Sequence, residues 1–462
     1  MKSPFRISKL DYLAYAISLV LCFFLFKQSD LTLTNNASFA YLYGYFWDFY
    51  DYNRPIFTGN NYLPALYWMF AIWNAPLKLL GLAPEITTQT WMLSTAAQTI
   101  WSKLLIAIFF FGTIRLLGKI SDQICRSQSS SSISQDRLKP SNLFATSPIA
   151  IFAVFIFSGY DIFGVFFTLL GLQAYFSKDF RGFAFWFSIA ISFKYFAALI
   201  YLPLVLIIEK RFWYLLLYGL VGLIFSALQF WMYWHSDAFH YGIFGMIGEK
   251  TGGHGIGLRF IFANMFYGLL CIYLYFSAFN YKTNSYAWGR RSIFACMLAY
   301  VLFFSWTRWH PQWFILLAPF SCLLFLYIKN QRAVLLSEIF GYLGFAVYCI
   351  NNWPGNVDNT MIYGGALGSI LPHVSTLLAS DIVGRKWMAL SRTLIYASLY
   401  LPLLIVCMEN YRLKSRPYGE KKNNAMSDVV IVSGYQEKIL FRIRFLVASY
   451  FFIAISIVCI VL

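Results

Sequence analysis

Apolar runs separated by short polar turns organise this chain. None of them alternates with the period of two that a half-buried strand would show. The first run, residues 12–26, follows a basic leader of Lys2, Arg6 and Lys9. No small-residue cleavage site follows it, so it predicts a first membrane anchor rather than a signal peptide. A polar, aromatic stretch extends from Gln28 to about Asn61. The next run, 62–82, holds Pro64, Pro76 and several aromatic rings, which suits a helix lying along the outer interface or re-entering. A span at 101–117 then descends to a basic, flexible linker at 119–142 that contains QSSSSISQ.

Two pairs of short arms follow, 143–158 with 160–176 and 182–193 with 195–208. They are shorter than the roughly 20 residues of a full crossing, which predicts broken or re-entrant helices. Later spans fall at 214–233, 258–279, 291–306, 312–328, 333–350, 388–408 and 441–462. The expected architecture is an all-α polytopic membrane protein of about 11–13 transmembrane helices, with interfacial helices in the first outer loop. It divides into a catalytic transmembrane module at 1–330 and C-terminal helices at 331–462 with an outer loop at 351–391.

Composition agrees with the pattern. Hydrophobic residues make up 60% of the 462 and charged residues 12%, against nearly half and a quarter in a soluble chain. That excludes a soluble enzyme, a disordered chain and a secreted disulfide scaffold. The net charge of +17 would suggest nucleic acid in a soluble protein. Here most Lys and Arg residues fall in the leader, the linker and the turns on one side, as the positive-inside rule requires. That side is the cytoplasm, the N-terminus lies there, and no nucleic-acid partner is implied. The cysteines, all but Cys125 inside apolar runs, have no metal or redox spacing.

Acidic residues are scarce, so those in outer segments stand out. Asp30 sits just beyond the first span. Asp48 and Asp51 are spaced to share one helical face. A general base at a membrane-surface site is one use of such carboxylates; a solvated loop is the other. The surrounding rings, Tyr41 to Tyr52, suit an interfacial belt and also sugar stacking. Lys194 interrupts the apolar SFKYFAALIYLPL, where an ammonium must pair with an anion, point into a cavity or snorkel. Arg308, His310 and Gln312 cluster in SWTRWHPQWF at a junction broken by Pro311, which suits an anionic, hydroxyl-rich head group. His235, Asp237, His240 and His254 populate the outer loop 234–257, whose GEKTGGHGIG lacks the spacing of a phosphate loop. Asn36-Ala37-Ser38 is a glycosylation sequon. No soluble nucleotide-binding unit exists, so a transferase of this kind would take a membrane-bound donor.

Several stretches in order resemble the GT-C class of polytopic glycosyltransferases, most closely glycosyltransferase family 87 and related mannosyltransferases. They are SDLTLTNNASFAYLYG, NYLPALYW, WSKLLIAIFFFGTIRLLGK, SGYDIFGVFFTLLGLQAY, FSIAISFKYFAALIYLPLVLI and RWHPQWFILLAP, within about residues 10–330. NYLPALYW departs from that group's Tyr-Pro-Pro segment by carrying Leu63. The resemblance implies an inverting transfer of mannose or another hexose from a polyprenyl-phosphate donor to a glycan or glycolipid acceptor. It implies no metal or other cofactor. It puts the general base on Asp30, whereas the paired-carboxylate argument favours Asp48 with Asp51 beside it. Lys194, Arg308 and His310 would hold the lipid phosphate, and Asp161, Gln312 and His254 would contact substrate. The site would face outward from a plasma membrane. A polysaccharide polymerase or ligase, and a lipid-linked sugar transporter or flippase, are the rival readings.

Overall fold

The computed structural model describes residues 9–56, 60–84, 86–126, 138–245, 258–277, 285–307, 309–353, 361, 363–368, 385–415, 439–440, 442–450 and 453–454. Among them there is no strand; the described chain is all-α.

Helix α1 (Lys9–Leu25) ends at a sharp break, and α2 (Ser29–Ala37) with α3 (Phe39–Leu42) leaves at 67° to it. The short α4 (Phe49–Asn53) and the 16-residue α5 (Pro64–Leu79) complete the first loop region. Helix α5 is too short to cross and packs side-on: Trp73 and Trp101 stack at 4.6 Å, and each indole N–H donates to the other residue's carbonyl. Its Ile72 and Leu79 are exposed.

Helix α6 (Ala96–Arg126) has 31 residues and is about 46 Å long. This corrects the flexible linker expected from residue 119. Ile120 and Ile124 keep the helical spacing and are buried, so the helix continues to Arg126 before the chain turns polar. The linker's 127–137 lie outside the described residues.

The expected short arms are present as α7 (Pro140–Ala145), α8 (Pro148–Ile151) with a π-helical turn at Phe152–Ile156, then α9 (Ile162–Phe176), α10 (Phe180–Phe193) and α11 (Ala198–Ile208). Tyr201 lies against Phe187 and Phe183 at 5.2 and 5.1 Å, so α10 and α11 fold back on one another with Lys194 at the tip. Helix α12 (Phe212–Tyr233) presents Leu216, Leu220, Leu223 and Leu228 outward. Its inner face is Gly222, Ser226, Gln229 and Tyr233, the small and polar residues through which helices pack in lipid.

After α13 (Asp237–His240) come α14 (Leu258–Phe276), α15 (Ser285–Trp306), α16 (Ala318–Leu324), α17 (Gln331–Asn352), α18 (Met388–Ser415) and a C-terminal helix at 442–450. Among the described residues, five helices are long and apolar enough to cross a membrane: α6, α12, α15, α17 and α18. Helix α1 with its bent continuation makes a sixth if the pair is one span. The chain is a multi-pass membrane protein. The segment expected to span at 312–328 is a succession of helical pieces, Pro311–Leu316, Ala318–Leu324 and Phe325–Tyr327, with Pro311 and Pro319 in the first turns of the first two and residues 311–320 buried.

Much of the expected outer loop 351–391 lies outside the described residues, but 363–368 packs on the α1 break. Leu367 N–H donates to the Phe24 carbonyl (3.3 Å), and Lys27 N–H donates to the Met361 carbonyl (2.9 Å). A Cβ on Gly365 would run into the Leu25 carbonyl. Gly365→Val is therefore expected to cost about 1–3 kcal/mol and lower the melting temperature in detergent. Gly219→Val, where a Cβ would meet nothing within 4 Å, should leave it unchanged. Equal melting temperatures would disprove the close docking.

Candidate active site

The tip between the π-helical turn and α9 is tightly constrained. Ser158 adopts φ 64°, a left-handed conformation that costs a non-glycine residue energy and recurs at functional sites. Gly159 follows, where a Cβ would meet the Gln312 side chain at 2.9 Å. This brings Ser158, Asp161 and Gln312 together from widely separated parts of the chain.

Asp161 stands just before α9 and Lys194 just after α10, where the backbone turns extended (φ −149°, ψ 107°). Their side chains meet with Lys194 Nζ 2.6 Å from Asp161 Oδ1, and are 4% and 2% exposed. Lys194 therefore does not snorkel; its charge is held inside. Gly164 makes room for it, because a Cβ there would touch the Lys194 Cβ at 3.2 Å. The ammonium also lies over the rings of Tyr62 (4.7 Å) and Trp313 (5.1 Å). Beyond its charge contact with Lys194, Asp161 has no hydrogen-bond donor on either oxygen. Gln312 Oε1 and Ser158 Oγ are likewise buried without a partner among the described residues. A buried acceptor left unmet is costly, so this group is suited to receiving hydroxyl protons from a ligand.

Asp30 is in the first turn of α2, half-buried, with its N–H accepted by the Gln28 side chain. Helix N-termini favour a carboxylate there. Its charge bears on Tyr160 and on Tyr62, and Asp161 bears on Tyr62 as well. Burial first, then Tyr160, Asp161 and Asp30, push the Tyr62 phenol well above its ordinary range. Thr34 Oγ1 donates to Tyr160 Oη at 2.9 Å, and the Tyr62 and Tyr160 rings meet edge-on at 5.3 Å. His310 packs in tilted contact with the rings of Trp313 (5.1 Å) and Trp353 (4.5 Å). Asp30, Asp161, Lys194, Gln312 and His310 thus belong to one linked neighbourhood. Sequence reasoning missed Tyr62, Tyr160 and Trp313, whose aromatic character blended into the interfacial belt.

A cavity of about 210 Å³ opens beside this group, lined among others by Asn61, Tyr62, Ser192, Lys194, Phe230 and Phe244. Its polar end is the ammonium and its walls are apolar. Phe230, three residues before the C-terminal end of α12, lines the cavity together with Lys194.

The other expected residues stand elsewhere. Asp48 and Asp51 are exposed at α4 and make no side-chain hydrogen bond or ion pair with the described residues. They sit beside an aromatic cluster of Phe49, Tyr50, Tyr67, Tyr233 and Phe239. His240 Nε2 is 2.8 Å from the Trp234 carbonyl. Among the described residues no three His, Cys, Asp or Glu side chains gather as a metal site. Arg308 and His254 lie outside the described residues. The sequon residue Asn36 is 1% exposed, and its amide donates to the Trp91 and Leu93 carbonyls, so the folded chain withholds it from modification. Compared with known proteins, the chain matches no family model, no curated protein and no solved structure, so its site is read from its own geometry.

Proposed function

We propose that the chain is a GT-C-like glycosyltransferase that moves a hexose from a polyprenyl-phosphate donor to an acceptor hydroxyl at the outer face of the membrane. The observation that carries this reading is the gathering of Asp30, the Asp161–Lys194 pair and the His310–Gln312 junction beside a cavity with one cationic end and apolar walls. Each group has a role in such a transfer. Asp30 takes the proton of the acceptor hydroxyl as it attacks the anomeric carbon. Lys194 exchanges Asp161 for the donor phosphate and stabilises its charge as the phosphate leaves. His310 and Arg308 support that phosphate. Asp161 and Gln312, whose buried oxygens lack donors, receive sugar hydroxyls. A cavity with one cationic end and apolar walls suits a substrate with an anionic head group and a lipid chain.

The test is transfer in membranes containing the protein, supplied with radiolabelled polyprenyl-phosphate mannose or glucose and a broad acceptor mixture. Label should move to acceptor in proportion to the amount of protein. No transfer from any lipid-linked sugar would overturn the proposal and favour polymerisation, ligation or transport.

A further inference from the structure

A second group of side chains, independent of the Lys194 site, meets where α1 breaks and α6 begins. Lys27 is 6% exposed. Its Nζ lies 2.5 Å from Ser94 Oγ and 3.1 Å from Thr99 Oγ1, and the two hydroxyls are 3.0 Å apart. The three atoms close a triangle. No carboxylate lies within ion-pairing distance of Lys27 among the described residues, so nothing there holds a positive charge on this amine. The neighbouring Lys103 differs. It is equally buried, but its ammonium is saturated by the carbonyls of Cys22, Phe26 and Phe155, where it caps the end of α1. Lys27 has only hydroxyls.

Ser94, by contrast, is half-buried, with Met92 and Leu93 exposed next to it (48% and 64%). Its segment is braced, because Asn36 donates to the carbonyls of Trp91 and Leu93. Helix α6 starts at Ala96, just beyond Ser94; Thr95 takes the amides of Gln98 and Thr99, which leaves those of Ala96 and Ala97 as the first turn's remaining donors.

We propose that Ser94 and Lys27 form a serine–lysine dyad, oriented by Thr99, that cleaves acyl esters of membrane amphiphiles. The arrangement has the accessible nucleophile in front, the buried amine behind it and a third hydroxyl fixing the amine. Ser94 Oγ attacks the acyl carbonyl carbon and its proton passes to Lys27 Nζ. The ester C–O bond breaks, and the departing alcohol takes that proton. Water, deprotonated by Lys27, then attacks the acyl-Ser94 ester. The fatty acid leaves and Ser94 regains its proton, so ester plus water becomes alcohol plus acid. The Ala96 and Ala97 amides at the start of α6 stabilise the oxyanion. The exposed Met92 and Leu93 side chains receive the acyl chain at the membrane surface.

The test uses the full chain in detergent with a fluorophosphonate probe and, separately, p-nitrophenyl octanoate. Peptide mapping should place the phosphonyl adduct on Ser94. Ser94→Ala should abolish both labelling and ester turnover while keeping the wild-type melting temperature. Lys27→Met should slow labelling at least tenfold, and Thr99→Ala should slow it less. Because Lys27→Met removes a buried group, Lys27→Arg is the second variant: it keeps a long hydrogen-bonding side chain but cannot act as a base, and should be equally slow. Wild-type protein that stays unlabelled, or labelling that survives Ser94→Ala, would overturn the dyad. Sugar transfer would be untouched by Ser94→Ala, so the two proposals fail separately.

Discussion

Asp30→Asn is expected to lower sugar transfer by about 10²–10⁴-fold at an unchanged protein level. The substitution keeps the shape of the side chain and its place at the N-terminus of α2, and removes only the capacity to take a proton. Asp48→Asn and Asp51→Asn are expected to transfer at near the wild-type rate, since both carboxylates are exposed and make no hydrogen bond or ion pair with the described residues. The measurement is transfer per molecule of membrane protein for all three variants. A severe loss in Asp48→Asn with activity retained in Asp30→Asn would move the base to α4. It would also disconnect the Lys194 neighbourhood from catalysis.

Arg444→Met is expected to be the most destabilising single change, about 3–5 kcal/mol. Arg444 is wholly buried, and it ties the C-terminal helix to the rest. Its guanidinium donates to both Glu338 oxygens (2.7 and 2.9 Å), to the Leu143 carbonyl (3.1 Å) and to Thr146 Oγ1 (3.0 Å). Methionine leaves Glu338, half of a fork-to-fork pair in α17, charged and with only the Ser147 hydroxyl, at 3.4 Å, as a partner. Lysine would not repair this, because a point charge cannot fill four directions at once. The double variant Arg444→Met with Glu338→Met should recover much of the loss, because it removes both charges, the buried Arg444 and the half-buried Glu338. Melting of the purified variants and their level in membranes check this. A double variant no more stable than the single one would mean that the Leu143 and Thr146 contacts matter more than the ion pair.

The all-helical membrane class followed from the chain alone, because apolar run length and the side on which Lys and Arg gather are local properties. So did the short arms: SKDFRG and EKRF supplied turns, and Asp161 and Lys194 were conspicuous as charges in apolar surroundings. Sequence pattern could not separate a lipid-facing run from a protein-facing one. Residues 312–328 read as one more apolar run, yet residues 312–320 and 322–328 are buried among other helices, since both environments select the same apolar side chains. Lys103, mid-run in WSKLLIAIFFF, carried the same warning as Lys194 and was passed over. Its role as a cap for α1 needed the helix break, which no local pattern announces.

Charge scarcity nominated Asp30, Asp48, Asp51, Asp161, Lys194, His310 and Gln312 without ranking them. Only the tertiary structure brought Asp161 to Lys194 and Gln312 to Gly159, and set Asp30 near Tyr62 and Tyr160 while leaving Asp48 and Asp51 outside. The reason is physical. Hydrophobicity and turn chemistry act between near neighbours in the chain and can be read from them. The pairing of buried polar groups across the fold depends on which helices pack together, and that is decided by the whole molecule at once.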